Sequence, residues 1–395
     1  MNPDRRRWRQ LGLLAAAELL GMSVWFAGTA VAPAMRERLL LSGPETAWLT
    51  SAVQIGFVAG TLIAALLNLA DIIPLRWYVA ACAAIAAGAN ALLIPAHTYP
   101  MALLSRVLTG AALAGVYPPA MKMAATWFRD ERGLAIGAVV GALTVGKAMP
   151  YLLEGGGHLP ATWVVAAPSL AAIVAALLIA GGYRDGPFAF PARPFSWSLA
   201  AVVARNPTQR QITGGYLGHM WELYAFWAWI PTYLAASFAA RAAAHGEAAA
   251  GVGFWPFACV AIGGVGCLWG GRAADRIGRP QVVRRALIAS GVCCVLSALV
   301  FGGPDSLVIA VGLIWGVAVI ADSAQFSALV TERAPPHAVG TALTLQTSLG
   351  FLLTAASIQL VPRIAAATGW RWAMVVLALG PVAGLAIVRR LVPAR

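Results

Sequence analysis

Long apolar segments separated by short hydrophilic loops occupy most of this 395-residue chain. A helix needs about 20 residues to cross the hydrocarbon core of a bilayer, and each segment is long enough. Helices satisfy their own backbone hydrogen bonds in lipid, so we predict an all-α membrane protein. The twelve predicted spans are 11–33, 46–68, 75–96, 99–127, 133–153, 160–182, 211–237, 251–271, 283–303, 305–330, 338–361 and 367–390.

The composition excludes a soluble enzyme. Only 11% of the residues are charged and 60% are hydrophobic, whereas a soluble chain is about one quarter charged. The formal net charge of +13 would suit nucleic acid as a partner, but most of the excess lies in short loops between apolar segments. We therefore expect the lipid bilayer as the partner and no nucleic acid.

The basic residues predict the orientation. Twenty of the 28 Lys and Arg residues fall in loops on one side of the predicted spans and five on the other. Cytoplasmic loops carry the excess of Lys and Arg, so both termini are expected in the cytoplasm. We interpret segment 11–33 as the first span, because it is longer than the apolar region of a signal peptide and contains Glu18.

A Pro- and Arg-rich break at 184–210 divides the chain into predicted halves 1–183 and 211–395. An offset of 204 residues places Glu18 on Glu222 and Trp25 on Trp229. Two similar halves around a central site are typical of secondary transporters, in which access alternates as one half moves against the other.

The loop between the eighth and ninth predicted spans reads GGRAADRIGRP over 270–280. It resembles the G-x-x-x-D-R-x-G-R loop of the major facilitator superfamily. The first half holds a reduced copy at 68–76. The resemblance implies twelve helices in two pseudo-symmetric six-helix halves and gating roles for Asp71, Arg76, Gly271, Asp275, Arg276, Gly278 and Arg279.

Two further segments extend this resemblance. Arg106 to Gly110 is similar to the R-x-x-x-G motif of the fourth helix in the family. Segments 18–22 and 221–224 resemble bacterial members grouped with cyanate- or nitrate-type porters. Nitrate porters carry an arginine in both the second and the eighth span, and the interiors of 46–68 and 251–271 have none, which argues against nitrate as substrate.

Six ionisable residues fall within predicted spans: Glu18, Glu222, Asp322, Arg106, Lys122 and Lys147. Each costs at least ~2.5–3.5 kcal/mol at the bilayer centre and therefore needs a partner or a wet cavity. The resemblance implies that the first, fourth, seventh and tenth helices line the central cavity. Those four helices carry Glu18, Lys122, Glu222 and Asp322.

Two interpretations of these charges stay open. Glu18, Glu222 or Asp322 could exchange a proton as the cavity opens, with His219 as a relay to Glu222. Alternatively, Lys122 could form a permanent salt bridge with Glu18 or Asp322.

The basic residues and aromatics have alternatives of their own. Arg106 either takes part in substrate or proton handling or binds backbone carbonyls of neighbouring helices. Lys147 either contacts an anionic substrate or forms a structural pair. We predict a substrate site formed by Lys122, Arg106, Trp25, Trp229 and Tyr224.

The chain has no G-x-x-x-x-G-K-[ST] nucleotide loop and no cluster of metal ligands, so we expect neither cofactor, metal nor enzymatic activity. The sequence predicts a monomeric, multi-pass transporter of a small solute in the bacterial inner membrane, driven by protons. Import of an organic or inorganic anion and efflux of amphipathic compounds both remain open. A non-transporting sensor with the same architecture is a further alternative.

Overall fold

The computed structural model describes residues 3–128, 131–157, 159–188, 196–249, 251–335, 338–389 and 391. Within these ranges every regular element is helical. Of the arginines that predict orientation, Arg129, Arg193, Arg390 and Arg395 and the side chain of Arg132 lie outside the described residues. So does 189–195, within the predicted linker.

Ten helices precede the predicted linker. They are α1 (Pro3–Met22), α2 (Ala27–Ala30), α3 (Ala32–Leu39), α4 (Gly43–Leu66), α5 (Leu69–Ile72), α6 (Leu75–Ala91), α7 (Tyr99–Leu113), α8 (Tyr117–Ala125), α9 (Arg132–Gly155) and α10 (Ala161–Gly182).

Ten more α-helices and one 3-10 helix follow from residue 197 onward. They are α11 (Trp197–Arg205), α12 (Pro207–His245), α13 (Trp255–Ala261), α14 (Gly263–Ile277), α15 (Arg279–Val300), α16 (Asp305–Ile320), α17 (Ser323–Arg333), α18 (Val339–Thr368), α19 (Trp370–Ala373), the 3-10 helix Met374–Ala378 and α20 (Leu379–Val388).

In the described part of the chain, ten helical segments are long and apolar enough to cross a membrane. The chain is therefore a multi-pass membrane protein, but a count of twelve is not confirmed. The other two predicted spans coincide with α6 and α12. Helix α6 has only 17 residues, and the 39-residue α12 carries many polar side chains among its apolar ones.

Glycines permit close approach between some of these helices. A Cβ on Gly56 of α4 would clash with the carbonyl oxygen of Val107 on α7, and one on Gly110 of α7 with that of Val53. Small residues at such contacts let helix backbones pack tightly, which is the main source of packing energy between helices in lipid.

Helices from the two sides of the predicted linker meet along two seams. Helix α4 packs against α18, and α9 packs against α13 and α14. Helix α9 also packs against α1, while α12 packs against α18 and α20. These contacts bring the middle of α9 close to the turn after α1 and to the middle of α12.

Candidate substrate and proton site

Several of the predicted spans contain a break in the helix, among them three that carry ionisable residues. The first is interrupted between α1 and α2, at residues 23–26, and the fourth between α7 and α8, at 114–116. The tenth is interrupted at 321–322, so that Asp322 immediately precedes α17. Broken helices leave backbone groups without their usual partners, and in membranes such backbone is found where protein groups or a cavity satisfy it.

Arg106 satisfies the backbone of the first break. Its side chain is fully buried and donates hydrogen bonds to the carbonyl oxygens of Trp25 and Val24. It also donates to the carbonyl of Leu49, at 3.4 Å, and to Oδ1 of Asn90, at 2.8 Å. Of the two alternatives drawn from the sequence, this geometry supports binding of backbone carbonyls.

Beside this break, Lys147 of α9 lies in an aromatic enclosure. Its amine is 3.8 Å from the ring centroid of Trp25, 4.6 Å from that of Tyr224 and 5.5 Å from that of Trp227. It also donates a hydrogen bond to the Tyr224 hydroxyl. All four side chains are buried. We call Trp25, Lys147, Tyr224 and Trp227 the lysine–aromatic cluster.

Further aromatics extend the cluster across the seam between α4 and α18. Phe57 and Phe351 lie 4.3 Å apart, measured between ring centroids. Trp25 contacts both, at 5.2 and 5.6 Å, and Tyr224 lies 5.0 Å from Phe351. The cluster therefore joins residues that precede and follow the predicted linker, and a movement at this seam would alter it.

Two donors in this cluster have no acceptor. The indole nitrogens of Trp25 and Trp227 are buried, and neither makes a hydrogen bond within the described part of the protein. Buried polar groups are normally hydrogen-bonded, so each such group calls for an explanation. Together with the Lys147 amine, the cluster holds three N–H donor groups and the single hydroxyl of Tyr224.

Glu18 of α1 is 1% exposed. Its two carboxyl oxygens receive no hydrogen bond from any described residue. The side chain borders a cavity of only about 10 Å³ between α1, α6, α8 and α10. Lys147 is the basic residue that interacts with it electrostatically. The acid thus faces the protein interior and not lipid.

Glu222, by contrast, is held by three donors. Its carboxylate accepts hydrogen bonds from Ser290 Oγ at 2.8 Å, Cys294 Sγ at 3.2 Å and Trp315 Nε1 at 2.5 Å. Glu18 and Glu222 occupy equivalent positions in the two halves of the sequence, but their hydrogen bonding differs.

His219 pairs with Asp322. One alternative drawn from the sequence had His219 relay a proton to Glu222 instead. The Nδ1 of His219 lies 2.8 Å from Oδ1 of Asp322, and both side chains are buried. Asp322 in turn interacts electrostatically with Glu222. These three residues form a polar group inside the second half of the chain.

Lys122 is an ion-pair partner of Asp71, not of Glu18 or Asp322 as the sequence suggested. Lys122 lies on α8, which begins after the break at 114–116, and Asp71 lies on the short helix α5 that follows α4. The ion pair therefore places Lys122 beside the connection between α4 and α6. Trp229 has other partners than the lysine–aromatic cluster. Its indole donates to the carbonyl of Ile358 at 2.9 Å, and its ring contacts Trp370.

The predicted gating residues lie in α5, in the first turn of α6, in the last two turns of α14 and at the junction of α14 with α15. Gly278 joins α14 to α15 with a positive φ of 83°, a conformation that suits glycine. Arg279 contacts Glu332 at 2.6 Å and Gln325 at 2.9 Å. Gly271 and Asp275 lie against Gly133 of α9, Arg76 packs on Trp77, and Arg276 borders a surface groove.

From the sequence, contact with an anionic substrate was only one of two alternatives for Lys147. The sequence gave no role to Phe57 or Phe351. Lys147 could be recognised as a candidate because an ammonium group inside a membrane span is energetically costly and therefore needs a partner or a function. Nothing in the sequence distinguishes the two phenylalanines from other apolar residues in spans.

A family model described as the Major Facilitator Superfamily matches residues 13–358, most of the chain. The chain belongs to the major facilitator superfamily. No curated protein matches it significantly.

Solved structures of superfamily transporters share its fold. A bacterial homologue of the human lysosomal transporter Spinster, inward-facing and unoccupied, is 17% identical with a TM-score of 0.70, covering 97% of this chain and 96% of its own. The human organic anion transporter MFSD10 (TETRAN) is 14% identical, with a TM-score of 0.75 and coverage of 97% and 99%. The nucleoside transporter NupG is 15% identical, with a TM-score of 0.72 and coverage of 96% and 99%.

Proposed function

We propose that this superfamily member is a proton-coupled secondary transporter of small organic anions and that Lys147 binds the anionic group. The observation that carries the proposal is the enclosure of the Lys147 amine by Trp25, Tyr224 and Trp227. A buried charge is costly unless it is paired and hydrogen-bonded. Among the described residues the amine has one hydrogen bond, to a neutral hydroxyl, so it can accept an anionic partner.

The surroundings of Lys147 define the substrate class. The unsatisfied indole N–H groups of Trp25 and Trp227 can donate to carboxylate or similar oxygens beside the ammonium. The aromatic faces of the cluster and of Phe351 suit an apolar or aromatic body. The substrate proposed is therefore an organic anion with an apolar part.

Other residues predicted for the substrate site receive different roles. Arg106, Lys122 and Trp229 already have partners within the protein, so we assign them to holding helices in place. Trp25 and Tyr224 remain substrate contacts in this proposal.

Glu18 is proposed to carry the coupled proton. Its carboxylate accepts no hydrogen bond from the described residues, and its charged neighbour is Lys147. A substrate anion that binds Lys147 would neutralise that neighbour, and an uncompensated buried carboxylate is strongly unfavourable. Binding of the anion and protonation of Glu18 would therefore favour each other. The group of His219, Glu222 and Asp322 is proposed as a second proton site.

Alternating access is proposed to involve twelve spans, with α6 and α12 completing the set, in halves 1–183 and 211–395 joined by 184–210. Movement of one half against the other would open the seams at α4–α18 and α9–α14. The proposal includes a monomer in the bacterial inner membrane with cytoplasmic termini, and membership of the cyanate- or nitrate-porter-like group.

A binding screen followed by a transport assay tests the function. Purified protein is heated with aromatic and aliphatic carboxylates, each compared with its neutral amide, because a ligand stabilises the state it binds. Carboxylates are expected to raise the melting temperature of the parent and of Lys122→Gln, but not of Lys147→Gln. Hits should then accumulate in proteoliposomes under a pH gradient.

Two results would contradict the proposal. Amides that stabilise as well as their carboxylates would show that charge is not recognised. Carboxylates that stabilise Lys147→Gln as much as the parent would remove Lys147 from the site. Stabilisation by the neutral amides alone would favour efflux of uncharged amphipathic compounds.

A further inference from the structure

We propose that a groove between α14 and α15 binds the phosphate headgroup of an anionic phospholipid. The groove has a volume of about 460 Å³, and its lining includes Val265, Leu268, Trp269, Arg272, Arg276 and Arg285. We call it the arginine groove. None of its lining residues belongs to the lysine–aromatic cluster, and Arg276 is the lining residue that it shares with the predicted gating residues.

The arginine groove carries a positive charge that the described residues do not compensate. Arg272, Arg276 and Arg285 are exposed, and no acidic side chain lines the groove. The neighbouring acids are directed elsewhere: Glu332 pairs with Arg279, and Asp275 lies beside Gly133 of α9. Three guanidinium groups around one cavity suit phosphate, to which arginine can donate two parallel hydrogen bonds.

The position of the arginine groove along α14 favours a lipid over a soluble phosphate. Val265 is 56% exposed and Trp269 is 46% exposed on the same helix that carries the arginines. Trp269 precedes Arg276 by seven residues, about 10 Å along a helix. Tryptophan is enriched at the membrane interface, so an acyl chain can lie along Val265 and Trp269 while its headgroup reaches the arginines near the end of the span.

Native mass spectrometry of the purified full chain with phosphatidylglycerol or phosphatidylcholine tests this inference. The groove variant is the triple substitution of Arg272→Gln, Arg276→Gln and Arg285→Gln. The control variant is Arg9→Gln, Arg205→Gln and Arg210→Gln, which removes the same charge from exposed arginines elsewhere. Since each basic residue near a membrane contributes about 1 kcal/mol of attraction to anionic lipid, phosphatidylglycerol binding should weaken roughly tenfold or more in the groove variant and less than twofold in the control.

Several results would overturn the proposal. One is an equal loss of phosphatidylglycerol binding in the groove variant and the control variant. Another is that the parent binds phosphatidylcholine as tightly as phosphatidylglycerol. A third is full displacement of phosphatidylglycerol by millimolar inorganic phosphate, which would indicate a site for soluble phosphate. If the groove variant does not fold in detergent, Arg285→Gln alone is compared with Arg210→Gln. A loss of phosphatidylglycerol affinity specific to Arg285→Gln supports the site, and equal affinity in the two overturns it.

Discussion

The buried amine of Lys147 donates a hydrogen bond to the hydroxyl of Tyr224, across the seam between the two predicted halves. Lys147 lies on α9 and Tyr224 on α12, 77 residues apart in the sequence. The bond links a charge to a neutral group in the protein interior, at the place where the proposed transport cycle requires the halves to separate. Its removal should therefore affect ligand binding more than folding.

Tyr224→Phe tests this bond by removing only the hydroxyl. Since a hydrogen bond to a charged group contributes about 1.5–3 kcal/mol, anion affinity should fall about tenfold in a binding titration. The matched control is Tyr233→Phe on the same helix, whose hydroxyl donates to the carbonyl of Ser297. An equal loss of affinity in the two variants would rule out a direct role for Tyr224.

Glu18→Gln should separate proton coupling from transport. The amide cannot exchange a proton, and the substitution breaks no hydrogen bond between Glu18 and the part of the chain that the structure describes. In proteoliposomes we expect exchange of substrate to continue while pH-driven accumulation is lost. Accumulation at the parent level would show that Glu18 is not the coupling acid.

Glu222→Gln should behave differently, because its carboxylate accepts bonds from Ser290, Cys294 and Trp315. Bonds to a charged group are each worth more than bonds to a neutral one, so this variant should lower the melting temperature by several degrees. If Glu222→Gln is as stable as Glu18→Gln, the three bonds do not carry the expected energy.

Arg106→Gln should destabilise the protein whether or not substrate is present. It removes a buried guanidinium that binds carbonyls at the break after α1, and each buried carbonyl left without a donor costs about 1–3 kcal/mol. Arg241→Gln, which loses a half-exposed pair with Asp305, should cost no more than about 1 kcal/mol. Similar melting temperatures for the two variants would contradict the role assigned to Arg106.

Gly146→Ala should weaken the contact between α1 and α9. A Cβ there would clash with the carbonyl oxygen of Leu19, next to Glu18, and a backbone atom has little freedom to shift. We expect a lower melting temperature and reduced transport. Gly12→Ala on α1 has open space around the new Cβ and should leave both unchanged. A stable, active Gly146→Ala would show that this approach is looser than the structure indicates.

Lys122→Gln should change the rate of transport and not the affinity for substrate. Lys122 pairs with Asp71 in the loop that resembles the family gating motif, away from the lysine–aromatic cluster. The maximal velocity should change at least twofold while KM stays within twofold of the parent. A large rise in KM with unchanged velocity would restore the substrate role predicted from the sequence.

The sequence predicted more of the fold than of the candidate site. The apolar segments predicted helices, and the loop at 270–280 indicated the family that the comparison confirms. Two predicted spans, α6 and α12, are not among the ten described helical segments that are long and apolar enough to cross a membrane, since one is short and the other is rich in polar residues. Lys122 pairs with Asp71 and His219 with Asp322, partners that the sequence did not indicate, because the depth of a residue along its helix does not fix which neighbouring helix its side chain meets.

The sequence of residues along the chain determined where helices form, that they lie in a membrane, and that Glu18, Arg106, Lys147, Glu222 and Asp322 would be buried. Those properties depend on the apolar character of consecutive residues. The tertiary structure alone decided that Arg106 binds the backbone at Trp25, that Glu222 is held by three donors, and that aromatic rings enclose Lys147. Each of these contacts joins different helices, many of them 70 or more residues apart in the chain, so the packing of whole helices, and not the local sequence, selects the partners.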